Sequence, residues 1–517
     1  MLSLPKSALL TALLPAFAAT ASAQVDLVRT GGVVGADLNY EITAGPGSLF
    51  ALLPSFSAGP LPLAVIDPGD PRFLEVGLDL PSLWTLGVAG VDGKATVTFP
   101  LPVSPALQGL PLHAQAVTLP GATTIVDEIS PATSLTLGAP ATTVSTIGDL
   151  PLALAGHTAT ALDDGRVLLA GGGGSTGIVS VPGDRLYLFD PQTQKFSTSQ
   201  ATLQSVRAGH TATLLSDGRV LLVGGSNDLS EPLATVDIYD PVTDTVSVGA
   251  PMPGARVAHT ATLLADGRVF VAGGANGFNL ADPLAGLGNI LESTLVYNPT
   301  ANSWSNGPNL PDPRVGHAAS RLNDGRVLLT GGLVVTNVIF IGPVPSITSD
   351  ARYYNPSTNS LSNAPDFGGA RALHAQTTLS DGRVLVAGGA TIDILTLGVT
   401  VFNSTRVFNA GGWSNAGNLT NPRVYAQAVE LAGGAVAVVG GLANVDTASG
   451  SGAPATAIDV SSGAFSAFDG SVSLLLDRVI PASVAIDGGE RMLITGAGID
   501  PVTGAASTDQ GAETYIR

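Results

Sequence analysis

Five histidines at near-regular spacing are the residues of this sequence best suited to chemistry. They are 49 to 58 residues apart, each at the same place in a repeated pattern: His157, His210, His259, His317 and His374. Imidazoles bind copper and zinc, so a metal site is one hypothesis. One histidine per repeat, however, places the imidazoles in separate structural units, too far apart to share an ion. We therefore predict no metal and no cofactor, and expect each histidine to hydrogen-bond to the backbone where a strand begins.

A set of arginines is a second candidate for binding. Each lies three residues before the histidine position, in the loop that enters a repeat, and we call them the entry arginines: Arg207, Arg256, Arg314, Arg371, Arg423 and Arg478. Guanidinium groups pair in a fork geometry with carboxylates, acidic peptides and sugar acids. Two hypotheses stay open: the entry arginines contact a ligand, or they bridge neighbouring repeats.

A further arginine follows an Asp-Gly pair in five repeats. These turn arginines are Arg166, Arg219, Arg268, Arg326 and Arg383. Asp-Gly favours the tight turn that closes a hairpin, so each arginine should sit at a strand entry and pair with a nearby carboxylate. We predict that these arginines are structural or solvated.

Three long loops after the double glycine are unusually apolar. They cover residues 275–294, 333–350 and 390–404. Contiguous exposed apolar surface is typical of a partner-binding site. With the entry arginines, the predicted ligand-binding residues are therefore Phe278, Ile339, Phe340 and Ile341. The alternative is that these loops extend the central strands and pack on one another or on the N-terminal domain.

The repeat itself predicts four strands. In residues 207–225, Thr211–Leu215 alternates small and apolar residues, Asp217-Gly218 turns the chain, and Val220–Val223 reads as a fully buried strand. Gly224-Gly225 ends that strand where backbones crowd together. A third strand ends in a Tyr-Asp-Pro or similar motif, and a short fourth strand follows.

This pattern resembles the kelch repeat over about residues 138–517. The quoted signatures are R-x-x-H, D-G-R-V, G-G and Y-[DN]-P-x-T. The resemblance implies an all-β, kelch-type β-propeller with one four-stranded blade per repeat. Seven repeats are counted, but the sixth and seventh depart from the pattern, with Ala426 and Pro481 at the histidine position. We predict seven blades, with six as the alternative, and a strand around Val144 that completes the last blade.

The resemblance extends to secreted galactose-oxidase-like copper-radical enzymes. Their cofactor requires a cysteine crosslinked to a tyrosine, and this sequence has no cysteine. The resemblance therefore implies that fold without its copper-radical site. We predict no catalytic residues, while a cofactor-free carbohydrate-active enzyme stays open because a fold does not determine function.

Composition and the N-terminus bound the remaining possibilities. The chain has 40 acidic and 22 basic residues, which argues against nucleic-acid binding. A lysine, an apolar run and a small-x-small site predict a signal peptide over residues 1–23. Residues 24–137 alternate in period two and predict a small β-sandwich-like domain, and residues 138–517 form the repeat region. No later apolar run is long enough to span a membrane.

These observations predict a secreted, periplasmic or cell-surface binding module. Its ligand is a protein or a carbohydrate, held on the face that carries the entry arginines. A cell-surface structural or assembly protein is the third hypothesis, favoured by the acidic, cysteine-free and apolar-looped character of the sequence.

Overall fold

The computed structural model describes most of the chain outside its first 23 residues and several loops. The described residues are 24–65, 68–119, 124–146, 148, 150, 154–173, 183–227, 231–277, 289–338, 342–393, 398–409, 411–445, 452–475, 478, 480–496 and 512–517. They fall into two compact units. The first takes in described residues up to 146, together with 190–195 and Ile516, and the second takes in the rest. No helix in the described residues is long and apolar enough to cross a membrane.

The described part of the first unit has nine short strands and three single-turn 3₁₀ helices ahead of β10 (Thr142–Ser145), which joins the last blade. The strands are β1 (Asp26–Gly31), β2 (Asp37–Thr43), β3 (Leu49–Ser55), β4 (Ala58–Pro62), β5 (Phe73–Val76), β6 (Thr85–Val88), β7 (Lys94–Pro100), β8 (Pro111–Leu119) and β9 (Thr133–Thr136). The 3₁₀ turns are Leu63–Val65, Pro81–Leu83 and Pro105–Leu107.

Two sheets of this unit share one apolar core. The sheets have the orders β1-β2-β7 and β6-β3-β8-β9, and β4 pairs with β5. Leu38, Tyr40 and Ile42 alternate on β2 and pack against Phe50 and Leu52 of β3. Period-two burial of this kind places one face of each sheet in the core, as in a β-sandwich.

The repeats form four-stranded antiparallel sheets, each running in chain order, and we number the blades from the first repeat. Blade 1 has β11 (Thr158–Ala161), β12 (Val167–Ala170), β13 (Gly183–Asp190) and β14 (Lys195–Arg207). Blade 2 has β15 (Thr211–Leu214), β16 (Val220–Val223), β17 (Val236–Asp240) and β18 (Thr245–Gly249). Blade 3 has β19 (Thr260–Leu263), β20 (Val269–Ala272), β21 (Thr294–Asn298) and β22 (Ser303–Asn306).

Blades 4 and 5 carry additional strands in the loop after the double glycine. Blade 4 has β24 (Ala318–Arg321), β25 (Val327–Thr330), β28 (Ala351–Asn355) and β29 (Ser360–Asn363), and a separate sheet joins β23 (Arg314–Val315), β26 (Leu333–Val338) and β27 (Gly342–Ile347). Blade 5 has β30 (Ala375–Thr378), β31 (Val384–Ala387), β34 (Ser404–Asn409) and β35 (Gly412–Asn418), with a hairpin of β32 (Ala390–Ile392) and β33 (Val399–Val401).

The last two blades are formed by the sixth and seventh repeats, which depart from the sequence pattern of the others. Blade 6 has β36 (Gln427–Glu430), β37 (Val436–Val439), β38 (Ala457–Ser461) and β39 (Asp469–Ser473). The seventh sheet has the order β10-β42-β41-β40, from β10 (Thr142–Ser145), β40 (Ala482–Ile486), β41 (Arg491–Thr495) and β42 (Glu513–Ile516). Single 3₁₀ turns at Ala432–Gly434 and Asp487–Gly489 replace the Asp-Gly turn. Val144 packs with Val33 and Ile516, as the predicted Val144 strand requires.

The second strand of each blade is the centre of its packing. Val220–Val223 and its counterparts are buried at every position, because neighbouring blades cover both faces of each sheet. The first strands of successive blades neighbour one another in a cycle that returns from β40 to β11. This arrangement confirms the all-β propeller fold. The blade number of seven stays a prediction that the sheet arrangement supports.

Candidate functional site at the axial opening

The meander of each blade defines two faces. Strands alternate in direction, so the entry loops and the loops after the double glycine lie on one side, which we call the loop face. The Asp-Gly turns and the Tyr-Asp-Pro turns lie on the other side, which we call the turn face. Because the first strands neighbour one another around the cycle, residues at their starts lie around the axis.

The five repeat histidines lie in the boundaries between blades. Each is buried, and its Nε2 lies 2.8–3.0 Å from a threonine Oγ1 of the preceding blade. The pairs are His210–Thr158, His259–Thr211, His317–Thr260, His374–Thr330 and His157–Thr495. Burial, with the nearby entry arginine second, lowers the pKa of His157, His259, His317 and His374 to about 3. The imidazoles are therefore neutral hydrogen-bonding groups that hold blades together.

A different threonine supplies the hydroxyl in blades 4 and 7, where the usual threonine is replaced by alanine. Blades 1 to 3 place the threonine directly after the histidine position. Blades 4 and 7 have Ala318 and Ala482 there, and the hydroxyl comes instead from Thr330 or Thr495, the residue opposite on the second strand. Blade 5 carries no threonine at either place, and the following blade has no histidine.

This pairing predicts a destabilised variant with a specific rescue. Thr330→Val removes the partner of the buried His374 Nε2, and leaving it unpaired should lower the free energy of unfolding by about 1–3 kcal/mol. Adding Ala318→Thr to that variant rebuilds the arrangement of blades 1 to 3 and should recover most of the loss. Denaturant titration of the single and double variants measures both effects. An unrescued double variant would contradict the exchange of positions.

The entry arginines lie inside their blades, and this corrects the prediction that they contact a ligand. All six side chains are at most 2% exposed: Arg207, Arg256, Arg314, Arg371, Arg423 and Arg478. Arg207 shows the arrangement, in which Nη1 donates to the Gly224 carbonyl at 3.0 Å and Nη2 donates to Asp237 at 2.7 Å. The guanidinium thus joins the end of the second strand to the third strand of its own blade. The buried guanidinium of Arg207 loses its hydration, and the hydrogen-bond acceptors and the carboxylate of the blade interior compensate for that loss.

The backbone of each entry arginine does connect neighbouring blades. Its carbonyl accepts a hydrogen bond from the second glycine of the preceding blade, as Arg256 does from Gly225 at 3.1 Å. The same bond recurs from Gly172 to Arg207, Gly274 to Arg314, Gly332 to Arg371, Gly389 to Arg423 and Gly441 to Arg478. Bridging between repeats, the alternative left open by the sequence, is therefore the role of the main chain.

Two entry arginines have hydroxyl and carbonyl partners where the others have an acid. Arg314 donates to Asp350, whereas Arg256 meets Ser293 at the equivalent position. Arg371 likewise meets Ser404, and its guanidinium carbon lies 5.0 Å from the centre of the Phe402 ring. Desolvation lowers the pKa of Arg256 and Arg371 to about 10.

A carboxylate placed beside Arg256 should therefore stabilise the protein. Ser293→Asp supplies the partner that Asp350 gives to Arg314, and we expect a gain of about 1 kcal/mol in the free energy of unfolding. Ser293→Asn has the same size without the charge and should give no gain. Denaturant midpoints of the two variants at neutral pH measure the difference, and an equal effect of Asp and Asn would show that charge is irrelevant there.

The turn arginines behave as the sequence predicts. Each donates to the aspartate two residues before it, as Arg219 does to Asp217 at 2.7 Å, and about a third of each side chain is exposed. Arg166 and Arg268 also reach the proline carbonyl of the next blade's turn, at Pro241 and Pro356. They are structural groups of the turn face.

The described parts of the apolar loops pack on one another. Val335 of β26 joins Ala275, Ile290 and Val315 in one buried cluster, and Ala390 of β32 belongs to another. For these residues the alternative of packing on one another holds, while Ile392 of the third loop is 39% exposed. The predicted binding residues of the loops lie outside the described residues: Phe278, Ile339, Phe340 and Ile341.

A ring of residues at the axis was missed by the sequence analysis. The residue before each histidine position lies two residues before the first strand of its blade, and we call these residues the axial ring: Gly156, Gly209, Ala258, Gly316, Leu373, Tyr425 and Ile480. Main-chain bonds join ring neighbours, with Leu373 N donating to Gly316 O at 2.8 Å and Tyr425 N to Leu373 O at 3.1 Å. The sequence signal was available, because bulky residues replace glycine and alanine in three consecutive repeats.

Leu373 and Tyr425 occupy this ring at a conformational cost. Their φ angles are +55° and +63°, a region that glycine enters freely and bulky residues rarely enter. The Leu373 side chain lies over Gly316, where a Cβ would be 2.8 Å from Leu373 Cδ2. Tyr425 is 41% exposed and Ile480 is 38% exposed, so neither gains full burial in return. Strain without a matching gain in packing is typical of functional sites.

The described loop face is acidic. Its exposed carboxylates are Glu231, Glu292, Asp366 and Asp393. Among the described residues of this face, the exposed arginine is Arg185, which lies 3.9 Å from Asp184. The entry arginines add no surface charge because they are buried. The described part of this face therefore carries more exposed carboxylates than exposed guanidinium groups.

Comparison with known proteins agrees with the repeat architecture. Residues 139–332 match the model of the KLHDC2/KLHL20/DRC7 Kelch-repeats domain. Alpha-scruin of Limulus polyphemus is 25% identical over 194 residues, which are 37% of this chain and 20% of that protein. The match thus spans about a fifth of this curated relative's length.

A solved structure shows the same fold. A fungal alcohol oxidase of the AA5 family, solved in complex with copper, matches with a TM-score of 0.54 and 15% identity, over 71% of this chain and 75% of that one. The structure of YjhT matches with a TM-score of 0.45 and 17% identity, over 60% of this chain and 96% of that one.

Three observations define the class of protein: the cycle of four-stranded sheets, the histidine–threonine pairs between blades and the buried entry arginines. The class is a β-propeller whose blades are sequence repeats that have diverged from one another. Residues 139–332 carry kelch repeats, and the described residues have the fold of a kelch-type, galactose-oxidase-like propeller. The residues present do not fit that oxidase's copper centre: the sequence has no cysteine, and the histidine Nε2 atoms are engaged singly with threonines. No group of three potential metal ligands occurs among the described residues.

Proposed function

We propose that this protein is an exported binding module that recognises a protein partner on the loop face of its propeller. The observation that carries the proposal is the strained pair at the axis, the half-buried Leu373 and the exposed Tyr425. Glycine at either position would remove the strain of the positive φ angle. A contact between a partner and the leucine or tyrosine side chain would explain why glycine is absent there. The matched kelch-repeat domain supports a binding module, and the predicted signal peptide, residues 1–23, supports export.

Extra structure on the loop face supports the same assignment. The sheet of β23, β26 and β27 and the hairpin of β32 and β33 stand on this face in blades 4 and 5, next to Leu373. Their apolar clusters make them rigid, and rigid walls beside an axial opening suit recognition. The turn face instead carries short turns closed by Asp–Arg pairs.

Blocking one face at a time tests the proposal. Because the chain has no cysteine, Thr400→Cys on β33 and Val242→Cys on the turn face each create one attachment point for a bulky maleimide-linked polymer. Both positions are exposed, Val242 by 92%. Immobilised protein is exposed to extracellular proteins of the producing organism, and captured proteins are quantified by mass spectrometry.

We expect modification at residue 400 to abolish capture and modification at residue 242 to leave it intact. Equal capture by both modified proteins, or loss through residue 242 alone, would place the site elsewhere. Cell fractionation with an antibody tests export, and retention of the protein in the cytoplasm would contradict it.

A further inference from the structure

We propose that Leu373, Tyr425 and Ile480 form an apolar anchor site on the axial ring, and that it takes an apolar side chain from a basic segment of the partner protein. The inference rests on the proposed function, because it names the chemistry of what the loop face binds. It assigns a role to three residues of one half of the ring, since blades 5, 6 and 7 supply them.

The two halves of the ring differ in chemistry. Blades 1 to 4 supply Gly156, Gly209, Ala258 and Gly316, which leave main chain and space at the axis. Blades 5 to 7 supply leucine, tyrosine and isoleucine at the same places. A half-ring of bulky side chains facing a half-ring of glycine and alanine leaves room beside an apolar wall. A side chain of leucine or aromatic size can insert there, as interface anchors do.

Leu373 is fixed in place by its surroundings. It packs against the cluster of Ala390, Val424 and Leu442, so its position is set by two loops as well as by its own blade. Tyr425 donates its N–H to the Leu373 carbonyl, which keeps the two residues adjacent. Preformed contact surface loses little conformational entropy on binding, and tyrosine is enriched in such sites for that reason.

Charge complementarity identifies the flanking residues of the partner segment. The described residues of the loop face expose Glu231, Glu292, Asp366 and Asp393, and the whole chain has a net charge of −18. Acidic peptides and sugar acids would be repelled by this surface, whereas lysine and arginine would be attracted. The occupant is therefore an extended protein segment with one large apolar residue between basic residues.

Glycine substitutions separate binding from folding at these positions. Tyr425→Gly and Leu373→Gly restore the residue that three other blades use, and they relieve the positive φ angle. We expect both variants to melt at or above the wild-type temperature while losing binding. Tyr425→Asn, which tolerates this φ and keeps a Cβ, should lose binding in the same way. Ala258→Gly makes the same backbone change on the other half of the ring and is the matched control.

The probe is a fluorescein-labelled pentapeptide amide with tryptophan between two pairs of lysines, and fluorescence anisotropy reports its binding. Two matched probes replace the tryptophan with glycine or all four lysines with glutamates. We expect wild type to bind the lysine–tryptophan probe about tenfold more tightly than it binds the glycine probe or the glutamate probe. The Tyr425→Gly variant should bind the lysine–tryptophan probe about tenfold more weakly than wild type does. Ala258→Gly should bind as wild type does, and added salt should weaken binding.

Several results would overturn the anchor site. They are no binding of the lysine–tryptophan probe by wild type, equal binding of the glycine or glutamate probe, and unchanged binding by both Tyr425→Gly and Tyr425→Asn. The face-blocking experiment is independent of Tyr425. If modification at residue 400 abolishes partner capture while Tyr425→Gly captures normally, the anchor site is wrong and the proposed function stands. If neither change affects capture, both are wrong.

Discussion

Acidification from pH 7 to pH 5 should destabilise the propeller steeply, well before its carboxylates titrate. The pKa of His157, His259, His317 and His374 is about 3 in the folded state, against an ordinary value of 6.5, and that of His210 is also far below it. Below pH 6.5 the unfolded chain therefore binds protons that the folded chain does not. Stability is fully present above pH 6.5 and falls as the pH drops toward 3, by up to about 1.4 kcal/mol per pH unit per histidine.

Guanidinium denaturation at half-unit steps between pH 7.5 and 5 measures this dependence. The charged groups nearest the imidazoles are the entry arginines, such as Arg207 beside His210, and they oppose protonation further. A variant with His259→Ala and Thr211→Val removes one pair and copies the unpaired boundary between blades 5 and 6. Its dependence on pH should be shallower than that of wild type by about one proton. An unchanged slope would show that the histidines do not govern acid stability.

Gly224→Val should be among the most damaging single substitutions in the chain. Gly224 has a φ of +61°, and a Cβ there would lie 2.5 Å from the Arg256 carbonyl oxygen and 2.9 Å from His259 Cε1. The clash is with the main chain of the next blade, which cannot move without opening the boundary. We expect a loss of several kcal/mol in the free energy of unfolding, measured by denaturant titration.

Gly325→Val provides a matched control for this prediction. Gly325 has a φ of +86° in an Asp-Gly turn, but a Cβ there meets no atom within 4 Å. The control therefore has the cost of the backbone conformation alone, about 1–2 kcal/mol. If the two variants lose equal stability, close approach between blades is not what requires glycine at position 224.

Local patterns were sufficient to predict the strands, turns and crowded glycines. Val220–Val223, the Asp217-Gly218 turn and Gly224-Gly225 lie where the repeat places them, because period and turn chemistry depend on residues close in sequence. The histidines form hydrogen bonds as predicted, but the partner of each Nε2 is a threonine hydroxyl rather than the predicted backbone, and it lies 44 to 338 residues away.

The burial of the entry arginines could not be predicted from the sequence, because their partners also lie far away along the chain. Arg207 is the last residue of β14, a position that the sequence predicts as a loop in which arginine is ordinarily exposed, and its burial depends on Asp237, 30 residues later in the third strand. The axial ring was overlooked because it can be recognised only by comparing the equivalent residue of every blade. Tyr425 is notable only when it is aligned with Gly156, Gly209 and Gly316 and when its φ angle is known.

The histidine–threonine pairs also restrict how this ring can be copied or rearranged. Each paired boundary joins the histidine of one blade to the threonine hydroxyl of the blade before it. Blade 5, with Ala375 and Ala387 where others carry threonine, can be followed without loss by a unit that lacks the imidazole, such as blade 6 with Ala426. A duplication or deletion among blades 1 to 4 would keep a hydroxyl facing every imidazole, whereas a histidine-bearing blade placed directly after blade 5 would have an unpaired imidazole, so the tolerated rearrangements are confined to one part of the ring.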